Sequence, residues 1–149
     1  LNSHKAIEII QKKDKTFILL NAKESDYIKF KDCLPSNLRP YWKATILNFM
    51  ITKRAIKILE KNSKSLNELS ELMNLHQALL SNEIKNTPEK IMNQIKQGIK
   101  AGAYGSKIVG SGGGGCMVAM VNPDKISKVK NAFLKAGAKD VFEVTLINQ

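Results

Sequence analysis

The chain has 149 residues, which is long enough to bury the core of one ordinary domain and too short for two. Its hydrophobic content of 43% and charged content of 25% are close to globular averages and exclude wholesale disorder. The formal net charge of +11 comes mainly from scattered lysines, whereas nucleic-acid readers gather arginine and aromatic side chains on one face. We therefore expect a solvated basic surface and no specific nucleic-acid partner.

Helical patterns fill the first two thirds of the chain. Short helices are predicted at about 3–13 and 25–34, and a long amphipathic helix over about 40–61. Ser65-Leu66-Asn67-Glu68 is a capping box, which predicts a further helix to about residue 81. The predicted inner stripe of that helix consists of Leu66, Leu69, Leu72, Met73, His76, Leu79 and Leu80. Because the rest of the stripe is apolar, we interpret its histidine as a hydrogen-bonded core or interface residue rather than a catalytic one.

Strand patterns appear in the last third of the chain. Thr87-Pro88-Glu89 starts one more helix, whose end is weakened by Gly98 and Gly102. Strands are then predicted over 107–109, 116–121 and 141–147, with a helix between the last two. This order predicts an α+β fold in which helices pack on one face of a small antiparallel sheet.

Cysteine spacing and apolar runs narrow the class of protein further. Cys33 and Cys116 lack the spacing of a metal site or a disulfide framework, and we expect Cys116 to be buried at a strand start. No apolar run approaches the ~18 residues of a membrane span, and the first residues form no apolar targeting region. We therefore expect no metal ligand, no membrane partner and a cytoplasmic protein. Because the sequence lacks an initial Met, we expect a processed form or part of a longer protein.

The most unusual segment is 102–116, which holds seven of the nine glycines. Ordering such a segment costs backbone entropy, so positive φ angles or close approaches are expected there. Consecutive side-chain-free residues can gather several N–H groups around phosphate oxygens. The G-x-G-x-x-G match at 110–115 is not a dinucleotide-binding fingerprint, because a strand rather than a helix follows it. Spacing alone leaves two interpretations open, an anion-binding loop and a flexible hairpin connection, with the hairpin slightly ahead.

Three segments together resemble the C-terminal domain of the GHMP small-molecule kinases, a superfamily that includes galactokinase, homoserine kinase and mevalonate kinase. The segments are Leu72-Met73-Asn74 with Leu79-Leu80, Asn86-Thr87-Pro88-Glu89, and the glycine-rich stretch 102–116. The resemblance covers most of the chain from about Pro40 onward. It implies a ferredoxin-like C-terminal domain, so that residues 1–149 would form a single domain.

The resemblance also implies an activity, in which the ATP γ-phosphoryl group is transferred to a metabolite hydroxyl with the help of Mg²⁺. In this family the glycine-rich loop faces the cleft between two domains and helps shape the nucleotide and substrate sites. That role carries over to Gly110, Ser111, Gly112, Gly113, Gly114 and Gly115. Lys107 matches a basic position before the loop, with a solvated strand residue as the alternative.

Departures from the family pattern limit what this chain does alone. The N-terminal ATP loop of the Pro-x-x-x-Gly-x-Gly-Ser-Ser type has no counterpart here, and the family's catalytic acid or lysine lies in the same missing half. We therefore expect no catalytic residue in this chain, its own N-terminal kinase domain as partner, and no kinase activity from these residues in isolation.

Different segments of the chain resemble different members of the superfamily. Cys33-Leu34-Pro35 before the long helix and Gly-Ala-Tyr-Gly at 102–105 favour a galactokinase-like sugar kinase, narrowly. Gly113 and Val109 depart from galactokinases, 111–116 is closer to mevalonate kinase, and an apolar residue at 109 resembles heptose kinases. Two alternatives of other classes are a non-catalytic binding or regulatory module with this fold and a basic nucleic-acid-binding protein. The sequence specifies neither the phosphate acceptor nor the oligomeric state.

Overall fold

The computed structural model describes residues 2–61, 65–110, 112 and 115–144. Six α-helices and two strands occur in these residues, and their bounds are α1 Asn2–Lys13, α2 Ser25–Lys31, α3 Arg39–Leu59, α4 Leu66–Leu79, α5 Glu89–Ala101, β1 Ala103–Ile108, β2 Met117–Val121 and α6 Ile126–Lys135. Short 3-10 turns lie at Leu19–Asn21, Ser36–Leu38 and Pro123–Lys125, and a π-helical turn Leu80–Ile84 follows α4. The helices and the small antiparallel sheet confirm the predicted α+β fold.

Contacts between residues group the chain into two compact units. The first unit comprises Leu1–Lys64 and Ala78–Lys85, and the second comprises Ser65–Gln77 and Asn86–Gln149. The prediction that residues 1–149 form one domain stays a prediction.

An aromatic cluster forms the centre of the first unit. Trp42, in the first turn of α3, is fully buried, and its ring meets Phe17 and Phe30 edge-to-face at centroid distances of 5.6 and 6.3 Å. Its indole N–H donates a hydrogen bond of 3.4 Å to the carbonyl of Tyr27, so the buried polar atom is satisfied. The cluster is completed by Ala6, Ile10, Ala22, Leu34, Leu38 and Ile46. Trp42 therefore anchors the first turn of α3 in this core.

An ion pair holds the π-helical turn against α3 in the same unit. Lys43 Nζ lies 2.5 Å from Glu83 Oε1, and this hydrogen bond raises the pKa of the Lys43 ammonium. The pair is partly shielded from solvent, so it resists screening by salt better than a fully exposed pair does.

The second unit is a two-stranded antiparallel sheet covered on one face by helices. Register pairs Ile108 with Met117 and Ser106 with Ala119. Side chains from this face pack with α5 and α6 around a core of small and apolar residues, which includes Ala101, Ala103, Val129 and Phe133. A core with so many small residues allows the backbones to approach closely.

Two strand predictions differ from the structure. The first strand begins at Ala103 rather than 107, because Gly102 takes a left-handed conformation with φ of 117° and ends α5 abruptly. The strand predicted over 141–147 is not formed at Val141–Val144, where Phe142 and Val144 are exposed, and its other residues lie outside the described part of the chain.

Gly98 is a point of close contact between α5 and α6. A Cβ atom at this buried position would lie 2.3 Å from Cε1 of Phe133, far inside van der Waals contact. The glycine predicted to weaken the helix end therefore permits the packing of the two helices.

We expect Gly98→Ala to lower the free energy of unfolding by about 1 kcal/mol, because overpacking costs of about 1–3 kcal/mol exceed the helix-propensity gain of about 1 kcal/mol. Urea unfolding followed by circular dichroism measures the change. Asn93→Ala, at an exposed position of the same helix, serves as the control and should be neutral or stabilising. A higher midpoint for Gly98→Ala would contradict the packing argument, whereas adding Phe133→Leu should recover part of the loss.

Candidate functional site

The outer edge of β1 is paired with side chains of α4 rather than with a third strand. Asn74 Nδ2 donates to the carbonyl of Tyr104 at 2.9 Å, and the Ser106 N–H donates to Asn74 Oδ1 at 3.2 Å. One carboxamide thus takes up an acceptor and a donor of the strand edge, as a neighbouring strand would.

Gln77 continues this pairing to the last residue of the strand. Its Oε1 accepts the N–H of Ile108 at 2.8 Å, and its Nε2 donates to Thr87 Oγ1 at 3.0 Å. The Gln77 residue is 5% exposed, so these hydrogen bonds are shielded from water. Breaking one of them inside the protein would leave a buried polar group without its partner, which costs about 1–3 kcal/mol.

The spacing of Ser70, Asn74 and Gln77 places them on one face of α4. This face lies so close to the strand that a Cβ at Gly105 would be 2.7 Å from the carbonyl oxygen of Ser70. The predicted inner stripe of the helix is therefore only partly correct. Leu66 is 55% exposed, whereas Ser70 and Gln77 are buried. Gln77 is a polar partner of the strand edge, and Ser70 lies against Gly105 and donates its hydroxyl to the Leu66 carbonyl within α4.

The glycine-rich loop connects β1 and β2. The Val109 N–H donates to the carbonyl of Cys116 at 3.0 Å and closes the base of the loop. Within it, Gly110, Gly112 and Gly115 have φ angles of 80°, 79° and 105°. The positive φ angles expected from the glycine content are thus present at these three residues.

The loop has one packed side and one open side. A Cβ at Gly112 would lie 2.4 Å from Asn86 Nδ2 and 2.8 Å from the Asn86 carbonyl oxygen, so Asn86 forms a floor under the loop. A Cβ at Gly110 or Gly115 would meet no atom within 4 Å. The other predicted site residues, Ser111, Gly113 and Gly114, lie outside the described residues.

Two basic side chains lie at the strand that leads into the loop. Lys107 is half-buried, its Nζ donates to the carbonyl of Ile108 at 2.6 Å, and burial lowers the pKa of its ammonium. Burial also lowers the pKa of His76 on α4, with a smaller contribution from the positive charge of Lys107. His76 Nδ1 is buried without a hydrogen-bond partner in the described residues, so its predicted hydrogen-bonded role is not observed at this atom.

The described residues contain no cluster of three or more His, Cys, Asp or Glu side chains that would hold a metal ion. We assign no ligand among them to the Mg²⁺ ion implied by the family resemblance. Cys116 is exposed, which makes the prediction of a buried cysteine wrong, because the open side of the loop leaves the start of the second strand uncovered. No described helix has the length and apolar composition needed to cross a membrane.

The sequence predicts the glycine-rich loop but not the two carboxamide side chains, Asn74 and Gln77, that pair with the strand leading into it. Asn74 belongs to a segment that carries the family resemblance, and Gln77 lies between two such segments. Neither was given a role, because polar side chains on a helix ordinarily indicate solvent. The spacing of the two carboxamides by three residues on one helical face was the available signal.

Parts of this chain are similar in sequence to mevalonate kinases and in structure to a galactokinase. The Thermococcus onnurineus mevalonate kinase is 40% identical over 70 residues, which are 47% of this chain and 20% of that protein. The Thermococcus sibiricus mevalonate kinase is 35% identical over 101 residues, or 64% of this chain and 30% of that protein. The crystal structure of Lactococcus lactis galactokinase complexed with galactose matches with a TM-score of 0.81 at 22% identity, covering 91% of this chain and 35% of that one.

These matches confirm the fold that the three sequence segments imply. This chain spans about a fifth to a third of the length of the relatives just described. The family model described as GHMP kinases C terminal matches residues 54–139, which is more than half of the chain. The chain therefore belongs to the GHMP kinase family and has the fold of its C-terminal domain.

Proposed function

We propose that this chain is the C-terminal part of an ATP-dependent kinase that phosphorylates a hydroxyl group of a small molecule. The observation that carries the proposal is the loop between β1 and β2. Gly110 and Gly115 have positive φ angles and an open side on which a Cβ would meet nothing. Backbone N–H groups of such a loop can approach an anion closely without an intervening side chain.

The chemistry of phosphoryl transfer fits this arrangement. Catalysis of this transfer depends on positioning and on electrostatic stabilisation rather than on covalent chemistry by the protein. In the proposal, the loop orients phosphate or substrate oxygens through N–H donors from Gly110 to Gly115. The net charge of +11 favours the approach of an anionic nucleotide. The catalytic acid or lysine and the Mg²⁺ ligands come from the N-terminal part of the longer protein.

We propose mevalonate as the acceptor, ahead of the galactokinase-like sugar that the first half of the sequence favours. The relatives from Thermococcus are both mevalonate kinases and are 35–40% identical to this chain over the matched residues. The loop residues 111–116 also resemble mevalonate kinase more than galactokinase. The likeness to galactokinase is one of fold, at 22% identity.

A chimera tests both the activity and the acceptor. In it, this chain replaces the segment that it matches in the Thermococcus sibiricus enzyme, and a coupled assay follows ADP release with mevalonate or galactose. We expect ATP-dependent turnover of mevalonate at least tenfold above that of galactose. The chain by itself should show no turnover, because the ATP loop and the catalytic group are missing from it.

A folded chimera that is inactive towards both alcohols would count against the kinase proposal. A chimera that prefers galactose would keep the kinase and reject mevalonate. Turnover by the chain in isolation would contradict the assignment of the catalytic group to another part of the protein.

The role of the loop itself is tested by Gly112→Ala in the same chimera. An added Cβ would collide with Asn86. The φ angle of 79° at this position would also be strained for alanine. We expect kcat/KM for ATP to fall at least tenfold, which corresponds to about 1.4 kcal/mol. The matched control is Gly137→Ala, because Gly137 has a similar φ of 88° and its nearest neighbour is the flexible side chain of Lys90. The control should stay within about twofold of the unmodified chimera, and equal losses in both variants would contradict a specific role of the loop.

A further inference from the structure

We infer that Gln77 is a positioning residue for the glycine-rich loop, and that it orients the backbone at Gly110 and Gly112 before any ligand arrives. This inference rests on the proposed function in so far as the loop binds phosphate or substrate oxygens. Gln77 touches neither of these ligands in the proposal and acts through the backbone of the loop.

The first step of the argument is the place of Gln77 along the strand. On β1, Asn74 pairs with Tyr104 and Ser106, and Gln77 pairs with Ile108, the last residue of the strand. The Ile108 N–H is therefore fixed on the α4 side, and the next N–H, that of Val109, is fixed on the β2 side by Cys116. Two consecutive N–H groups at the start of the loop are therefore hydrogen-bonded on opposite sides of the strand, one to α4 and one to the residue before β2.

The second step concerns the floor of the loop. Gln77 Nε2 donates to Thr87 Oγ1 at 3.0 Å. Thr87 directly follows Asn86, against which Gly112 lies so closely that no Cβ fits between them. A single buried carboxamide thus connects the start of the loop with the segment that supports its middle.

The third step is energetic. A loop that is ordered before binding loses little conformational entropy when a ligand binds. The hydrogen bonds from its N–H groups to the ligand are then not offset by that entropic cost. Glycine residues supply no side-chain contacts of their own and have the most backbone freedom to lose. The order of Gly110 and Gly112 must therefore come from neighbouring segments, and Gln77 contacts Ile108 at the start of the loop and Thr87 next to Asn86.

The test uses amide hydrogen exchange and ¹⁵N NMR spectra of this chain without nucleotide. In Gln77→Met, a substitution of similar volume that removes the side-chain hydrogen bonds to Ile108, Thr87 and Met92, the Ile108 amide should exchange about tenfold faster. The resonances of Gly110 and Gly112 should shift, while the Ser106 amide, which Asn74 holds, keeps its protection. In Thr87→Val, the Gly112 resonance should shift while the Ile108 amide stays protected.

The matched control is Gln97→Met on α5, because in the described contacts Gln97 donates only a long hydrogen bond of 3.4 Å to Asn93 of the same helix. It should leave the resonances of Gly110 and Gly112 and the exchange rates of the Ile108 and Ser106 amides unchanged. If Gln77→Met fails to fold, Thr87→Val carries the test through the Gly112 resonance.

The inference is overturned if Gln77→Met leaves Ile108, Gly110 and Gly112 unaffected. It is also overturned if protection falls equally at Ser106 and at the core residue Val129, since that result shows a general loss of stability. Because no nucleotide is present, these results are independent of kinase activity. The predicted NMR changes together with an inactive chimera support positioning by Gln77 and reject the proposed kinase.

Discussion

Hydrogen bonds between the carboxamides of α4 and the outer edge of β1 are the interactions on which the strand that leads into the glycine-rich loop depends. Three backbone groups of the strand are paired in this way, by Asn74 and Gln77. Each such bond contributes about 0.5–1.5 kcal/mol net, and losing a partner in a buried setting costs more. A two-stranded sheet is marginal by itself in water, so the helix edge supplies the support that a third strand gives elsewhere.

The two units use different kinds of core. Around Trp42 the first unit packs large aromatic rings edge-to-face. In the second unit, alanines and glycines lie at the helix and strand contacts, and the ring of Phe133 packs directly against Gly98. At Gly105 the absence of a Cβ lets α4 lie close to β1, which brings the polar face of α4 within hydrogen-bonding reach of the strand edge. Small residues in this unit therefore serve the geometry of the loop as well as the packing.

The sequence predicted those features that depend on local chemistry. The Ser65 hydroxyl accepts the N–H of Glu68 at 3.3 Å, as the capping box predicts, and the glycine-rich hairpin lies between two strands. The features that it did not predict depend on tertiary contacts. Gln77 is polar because it meets a strand edge 31 residues further along the chain. The helical pattern alone gave no information about such a neighbour.

In the proposed kinase, the main chain of the loop contacts phosphate, and side chains outside the loop fix the path of that main chain. Phosphate recognition by backbone donors requires a defined main-chain path more than a particular side chain. In this chain the path is defined from outside the loop, at Ile108 by Gln77 and at Gly112 by Asn86. The loop can then remain free of side chains on its open side.

The loop glycines are constrained in two distinct ways, with different consequences for sequence divergence. At Gly110 and Gly115 the surroundings are empty, and the obstacle to other residues is the handedness of L-amino acids, which costs about 1–2 kcal/mol in a left-handed conformation. Asparagine or aspartate, which tolerate that conformation best, are therefore the replacements open to evolution at these two positions. At Gly112 a Cβ would also collide with the side chain and the carbonyl oxygen of Asn86, so a larger residue requires the backbone at Asn86 to move as well.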